Sequence, residues 1–302
     1  LAVEFDEEIA GNFGYLDTGA SGILLSRETV EGLGINIDAN AVFVDTGVGG
    51  NEYFDVSEVL YIATADYDSA NPAVPDIYRL NGPWRCQVSQ EYSNELTGAI
   101  DLLGVPVMAG KVAILKPITN FSIFDYNDDT GDWGDIFGTT DDWGDIGDTT
   151  SYFRANIVEA NDVNIPPVDF QIPLRFEKYI NPSSPDNTPP LPVLAYNPMI
   201  DNVDVEYNGT KLKANMILDT GAMISMISVE KGLALGLVDA NGNPIIDCDF
   251  EVTIGGIGGS VDVPGFILDK LSIPTLSGFN LVYLNARVCV HDIGILDEYS
   301  GE

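Results

Sequence analysis

Leu16-Asp17-Thr18-Gly19-Ala20 recurs 202 residues later as Leu218-Asp219-Thr220-Gly221-Ala222. Across residues 16–35 at that offset, nine of twenty positions are identical, including Ser26 with Ser228, Glu28 with Glu230, Leu33 with Leu235 and Gly34 with Gly236. One shared tripeptide can arise by chance, whereas a run this dense marks an internal repeat. Further on, Gly47-Val48-Gly49-Gly50 finds its partner in Gly256-Ile257-Gly258-Gly259, at an offset of 209. Each copy reads as apolar strand, Asp-Thr-Gly turn, short helix, strand, glycine-rich hairpin tip and strand.

The material between the copies differs. Residues 121–150 are acidic and glycine-rich, and Asp-Trp-Gly-Asp-Ile occurs there twice, at 132–136 and 142–146. Six prolines fall within 181–198, a composition that favours an extended crossing segment with little folded structure. The expected organisation is a first lobe over 1–120, an insertion and linker over 121–200, and a second lobe over 201–302. Thirty-one glycines, many valines and isoleucines and few long amphipathic runs point to a mostly β chain.

Composition narrows the function. With 13 basic against 47 acidic residues the net charge is −34, which repels nucleic-acid phosphates and leaves no basic face for them. The bland reading of this charge is solubility; calcium binding is the alternative. No apolar run reaches the length of a membrane helix. The chain starts at Leu1 and shows no signal peptide, so a leader has been removed or the start is missing. Cys86, Cys248 and Cys289 have no metal-ligand spacing; one disulfide or three free thiols both fit. His291, the one histidine, lies in an alternating apolar stretch and reads as a strand residue. A histidine-rich zinc site is excluded, and Gly256-Ile257-Gly258 does not extend to a dinucleotide fingerprint. Asp125–Asp132 alternates oxygen-bearing side chains like a calcium loop, but its glycine falls one place late and the twelfth position lacks Glu. A solvated loop is the default there, with calcium the alternative.

The repeated motif carries the chemistry. An apolar strand delivers each Asp to a tight turn, and Gly19 and Gly221 lack the Cβ that would keep the two turns apart. The hydroxyls of Thr18 and Thr220 can bond to the backbone of the opposite turn. Two carboxylates at hydrogen-bond distance cannot both ionise, so Asp17 and Asp219 would share one proton and titrate as a pair. Identical side chains thereby become one acid and one base. A third Asp-Thr-Gly, Asp45-Thr46-Gly47, faces Ile254-Gly255-Gly256 in the repeat register and reads as structural.

Leu16-Asp17-Thr18-Gly19-Ala20-Ser21 and Ile217-Leu218-Asp219-Thr220-Gly221-Ala222 resemble the active-site loops of aspartic peptidases of the pepsin and retropepsin group. The whole is similar to bacterial two-lobed members in which a retropepsin-like unit is duplicated. The resemblance implies a bilobal fold of two pseudo-symmetric β-barrel lobes, each with one short helix. Asp17 and Asp219 would be the catalytic dyad, and Thr18, Gly19, Thr220 and Gly221 its support. Gly49, Gly50, Gly258 and Gly259 match flap positions over an extended peptide or protein substrate. Leu102-Leu103-Gly104 fits the segment that packs behind an active-site loop. No metal or cofactor is required.

Ala20 and Ala222 stand where pepsins carry Ser or Thr, which implies a weakly acidic rather than strongly acidic optimum. The counterpart of Gly104, counted 54 residues on from Gly259, would fall past Glu302, so the second lobe is expected to be incomplete. A monomer at the cell envelope or outside the cell completes the expectation. The first alternative is a catalytically silent surface or calcium-binding module with the same fold. The second, a glycosidase using two carboxylates, fits poorly with the duplicated motif.

Overall fold

The computed structural model describes residues 2–5, 8–11, 14–66, 76–78, 82–90, 101–118, 126–127, 132–133, 152–161, 165, 167–178 and 186–293. The chain forms two compact units, Leu1–Ala109 with Pro166–Glu302, and Gly110–Ile165. The described residues are mostly β, in several sheets, with three short helices.

In chain order the first copy holds β1 (Ala2–Phe5), β2 (Glu8–Gly11), β3 (Tyr15–Leu16), β4 (Ile23–Leu25), α1 (Arg27–Gly32), β5 (Ile37–Gly47) and β6 (Gly50–Ser57). It continues with β7 (Ile62–Asp66), β8 (Asp76–Tyr78), β9 (Gln87–Ser89), β10 (Leu102–Leu103) and α2 (Val105–Met108). One sheet runs β3-β10-β4-β9-β6-β5, and a smaller one runs β2-β1-β7-β8. β4 is central, flanked by β10 and β9, and its Ile-Leu-Leu run is buried throughout, as a strand covered on both faces must be. Phe43, Phe54, Val56, Leu24 and Ala41 form the core of this copy. The first copy thus carries a second helix beyond the one expected. Gly104, in an extended conformation, precedes it, and Pro106 sits in its first turn, where a missing N–H costs no hydrogen bond.

The unit Gly110–Ile165 contains β11 (Lys111–Ile118), β12 (Tyr126–Asn127), β13 (Asp132–Trp133) and β14 (Tyr152–Glu159). β11 and β14 pair antiparallel from Lys111 with Glu159 to Ile118 with Tyr152, and β12 pairs β13. Apart from these strand backbones, the acidic run considered for calcium lies outside the described residues, as does the second Asp-Trp-Gly-Asp-Ile repeat.

The second copy comprises β15 (Arg175–Lys178), β16 (Tyr196–Tyr207), β17 (Thr210–Ile217), β18 (Ser225–Ile227), α3 (Val229–Leu235), β19 (Phe250–Gly256), β20 (Gly259–Pro274) and β21 (Asn280–Val290). They form one seven-stranded sheet around a core that includes Val203, Val205, Leu237, Phe266, Leu268 and Val288. Local registers repeat between the copies. β4 runs parallel to β9 with Leu25 opposite Val88, and β18 runs parallel to β21 with Ile227 opposite Val290. Ser26 and Ser228 cap α1 and α3 with nearly identical dihedrals, φ −65° and ψ 157° against φ −64° and ψ 158°. Each hydroxyl accepts an N–H of the first turn, as N-cap serines do.

The proline-rich segment is extended, but residues 186–195 are bonded to the first copy. Val42 and Thr188 exchange backbone hydrogen bonds, Val44 N donates to Asn187 Oδ1 (2.7 Å), and Ala195 N donates to Ser21 O (2.7 Å). The strap thereby satisfies the outer edge of β5, which would otherwise be left open for pairing.

Candidate active site

β3 and β17 each end at an Asp-Thr-Gly turn, and the two turns interlock. Thr18 N donates to Thr220 Oγ1 (3.1 Å) and Thr220 N to Thr18 Oγ1 (3.0 Å). Each hydroxyl passes its own proton on, Thr18 Oγ1 to Leu218 O (2.5 Å) and Thr220 Oγ1 to Leu16 O (2.9 Å). Four hydrogen bonds thus tie residues 200 to 204 apart in sequence, and only a hydroxyl both accepts and donates in this way. Neither turn has room for a side chain at its glycine. A Cβ at Gly221 would lie 2.7 Å from Asp17 Cγ, and one at Gly19 would strike the Asp219 carboxyl. Each carboxyl therefore rests against the glycine of the opposite turn.

Within its own turn Asp17 Oδ1 accepts from Gly19 N (2.7 Å) and Ala20 N (3.2 Å), and Asp219 Oδ1 accepts from Gly221 N (2.8 Å) and Ala222 N (3.0 Å). These bonds aim one oxygen of each carboxyl at the backbone. Burial pushes the Asp17 carboxyl up from 3.8 to about 6, and the charge and hydrogen bond of the Asp219 carboxyl push the same way. The Gly19 and Ala20 amides oppose the rise without cancelling it.

Segments behind the turns fix the Asp17 position. β10 pairs parallel with β3 and antiparallel with β4, and Asp17 N donates to Leu103 O (3.1 Å). Gly104 is enclosed by the carbonyl oxygens of Ala20 and Gly22. Asp101, buried, accepts from Ser26 N (2.7 Å) and Thr29 Oγ1 (2.7 Å), so it anchors the start of α1. In the second copy Asp292 Oδ1 accepts from Val229 N (2.7 Å) at the start of α3. Among the described residues no strand takes the place of β10 beside β18. Leu218 and Asp219 are more exposed than Leu16 and Asp17.

The glycine-rich tips meet. Gly47 pairs with Gly50 at the end of the β5–β6 hairpin, and Gly256 with Gly259 at the end of β19–β20. Gly49 N donates to Ile257 O (3.0 Å), and a Cβ at Gly49 would collide with Gly258. Ile257 packs against the core of the first copy. Sequence reasoning missed two residues at this junction. Glu52 Oε2 accepts from Gly258 N (2.9 Å), and His291 Nε2 lies 3.1 Å from Val48 O. Neither has a like residue at its place in the other copy, so the repeat gave no signal for them.

Other candidates resolve locally. Asp45 is buried in β5 and its carboxylate accepts from Gln87 Nε2 (2.6 Å) and Thr46 N (2.9 Å). All three cysteines are free; burial pushes the Cys86 thiol up to about 12 and raises that of Cys289. Among the described residues no three His, Cys, Asp or Glu side chains are grouped to hold a metal ion, and no helix is long and apolar enough to cross a membrane.

Residues 203–296 match a family model described as aspartyl protease. The match runs from within β16 through the Asp219 turn and past β21, roughly a third of the chain. It supports an aspartyl protease of the retropepsin type. No curated protein matches the chain.

Proposed function

We propose that the protein is an aspartic endopeptidase in which Asp17 and Asp219 activate one water molecule against a peptide carbonyl. The observation that carries this reading is the four-bond interlock of the Thr18 and Thr220 turns, with each Asp carboxyl set against the glycine of the opposite turn. The aspartyl-protease match over the second copy supports it independently.

The chemistry follows from a shared proton. Below about pH 6 the pair retains one proton, so one carboxyl is an acid and the other a base. The base takes a proton from water as the water oxygen bonds to the carbonyl carbon. The acid gives its proton to the carbonyl oxygen, which leaves a neutral gem-diol. Collapse breaks the C–N bond; a proton passes to the leaving nitrogen, and the products are a carboxylic acid and an amine. Thr18, Gly19, Thr220 and Gly221 keep the pair in register. The tips at Gly49, Gly50, Gly258 and Gly259 would close over an extended peptide and offer it strand-like hydrogen bonds. Because one chain carries both aspartates, a monomer suffices.

The test is cleavage of a denatured protein between pH 3 and 7, with and without a statine-type inhibitor. Asp17→Asn and Asp219→Asn should each reduce the rate by at least about a thousandfold, the inhibitor should block the rest, and both variants should remain folded. Activity that survives either substitution rejects the pair. A folded but inert parent protein favours a silent binding module.

A further inference from the structure

The two hairpin tips do not meet as equals. One contact, Gly49 N to Ile257 O at 3.0 Å, joins backbone to backbone. Two further polar contacts come from side chains that only one copy possesses. Glu52, on the first hairpin, holds the amide of Gly258 at the tip of the second (2.9 Å). His291, just past β21 of the second copy, reaches the carbonyl of Val48 at the tip of the first (3.1 Å). A carbonyl oxygen only accepts, so His291 Nε2 carries the hydrogen. At the Glu52 register place the second hairpin has Val261, and at the His291 place beside β4 the first copy has Ser89. His291 is itself anchored, since its N–H donates to Ile227 O (3.1 Å) at the end of β18.

We propose that Glu52 and His291 are positioning residues that latch the two hairpin tips together over Asp17 and Asp219, each gripping the backbone of the opposite copy's tip. The latch rests on the reading of this cleft as a peptidase site. On that reading the tips part to admit substrate, and their closure positions it against the pair. A carboxylate accepting a backbone N–H makes a stronger bond than a neutral acceptor, so Glu52 sets how firmly the second tip is held. The backbone bond and the packing of Ile257 against the first copy's core hold the tips in contact, and the two side chains add to that hold. The two side chains make closure of one tip depend on the other, because each spans from one copy to the tip of the other.

Amide hydrogen exchange on the full chain tests the latch without needing activity. Glu52→Ala should speed exchange of the peptide covering 255–261, and His291→Phe, which keeps a ring but no donor, should speed exchange over 46–52, each by about tenfold. His291→Gln restores an N–H donor and should return exchange toward the parent value, with peptides from β16 and from residues 265–274 of β20 unchanged throughout. In cleavage assays Glu52→Ala and His291→Phe should raise KM about tenfold with kcat within about twofold, and His291→Gln should recover KM. Unchanged exchange at both tips overturns the latch and leaves the peptidase reading standing. Faster exchange with unaltered KM and kcat overturns the positioning role. A parent protein that shows the exchange pattern but cleaves nothing overturns the peptidase reading, and the positioning role falls with it.

Discussion

At the scale of single residues, the site is set by what Asp17 cannot do alone. Its carboxyl is held up at about 6 by burial and by Asp219, against an ordinary 3.8. The sign of the consequence is fixed. The folded protein binds this proton more tightly than the unfolded chain, so the contribution to stability is full below about pH 3.8 and is lost as the pH rises to about 6. Asp17→Asn cannot titrate, and its Oδ1 still accepts from Gly19 and Ala20. Its melting temperature relative to the parent should therefore be higher at pH 7 than at pH 3.5, which thermal denaturation at the two values would show; an equal difference at both denies the coupling. The same pKa predicts that kcat/KM falls as the pH rises through about 6, as one proton of the pair is lost. The Asp-Thr-Gly pair was legible in the sequence because the motif and its apolar lead-in recur together. Glu52 and His291 were not, because their partners lie 206 and 243 residues away and nothing local marks such a contact.

Among the elements, α1 depends on a carboxylate that the sequence places 72 residues downstream of Thr29. Asp101 satisfies two buried donors at the start of a helix too short to persist alone. Asp101→Ala should cost about 2–3 kcal/mol by urea denaturation, whereas Ser26→Ala should cost about 1 kcal/mol as an ordinary cap. Equal small losses would show that Asp101 contributes nothing beyond the cap. Strands, turns and the hairpin tips were readable from period-two apolar runs and from glycine placement. The strap at 186–195 was readable only as extended chain. Proline content fixes the local conformation but carries no information about which strand edge the segment will meet, so its bonds to Val42 and Val44 emerged from the fold. The four-residue α2 was equally hidden, since Val-Pro-Val-Met has neither helical length nor periodicity.

For the whole molecule, two quantities dominate. The first is charge. A net −34 on 302 residues repels itself, and salt screens that repulsion. Raising sodium chloride from about 10 mM to about 500 mM should raise the melting temperature by several degrees, and a flat or falling response would show that the acidic groups are not a load on the fold. The second is the bringing together of two carboxyls 202 residues apart in the chain, on which the proposed chemistry depends. Carbon-13 NMR of the aspartate carboxyls measures it most directly as pH is varied. The account predicts one resonance with a midpoint near 6, absent in Asp17→Asn and shifted downward in Asp219→Asn. A set of aspartates that all titrate near the ordinary 3.8, unchanged by either substitution, would contradict it.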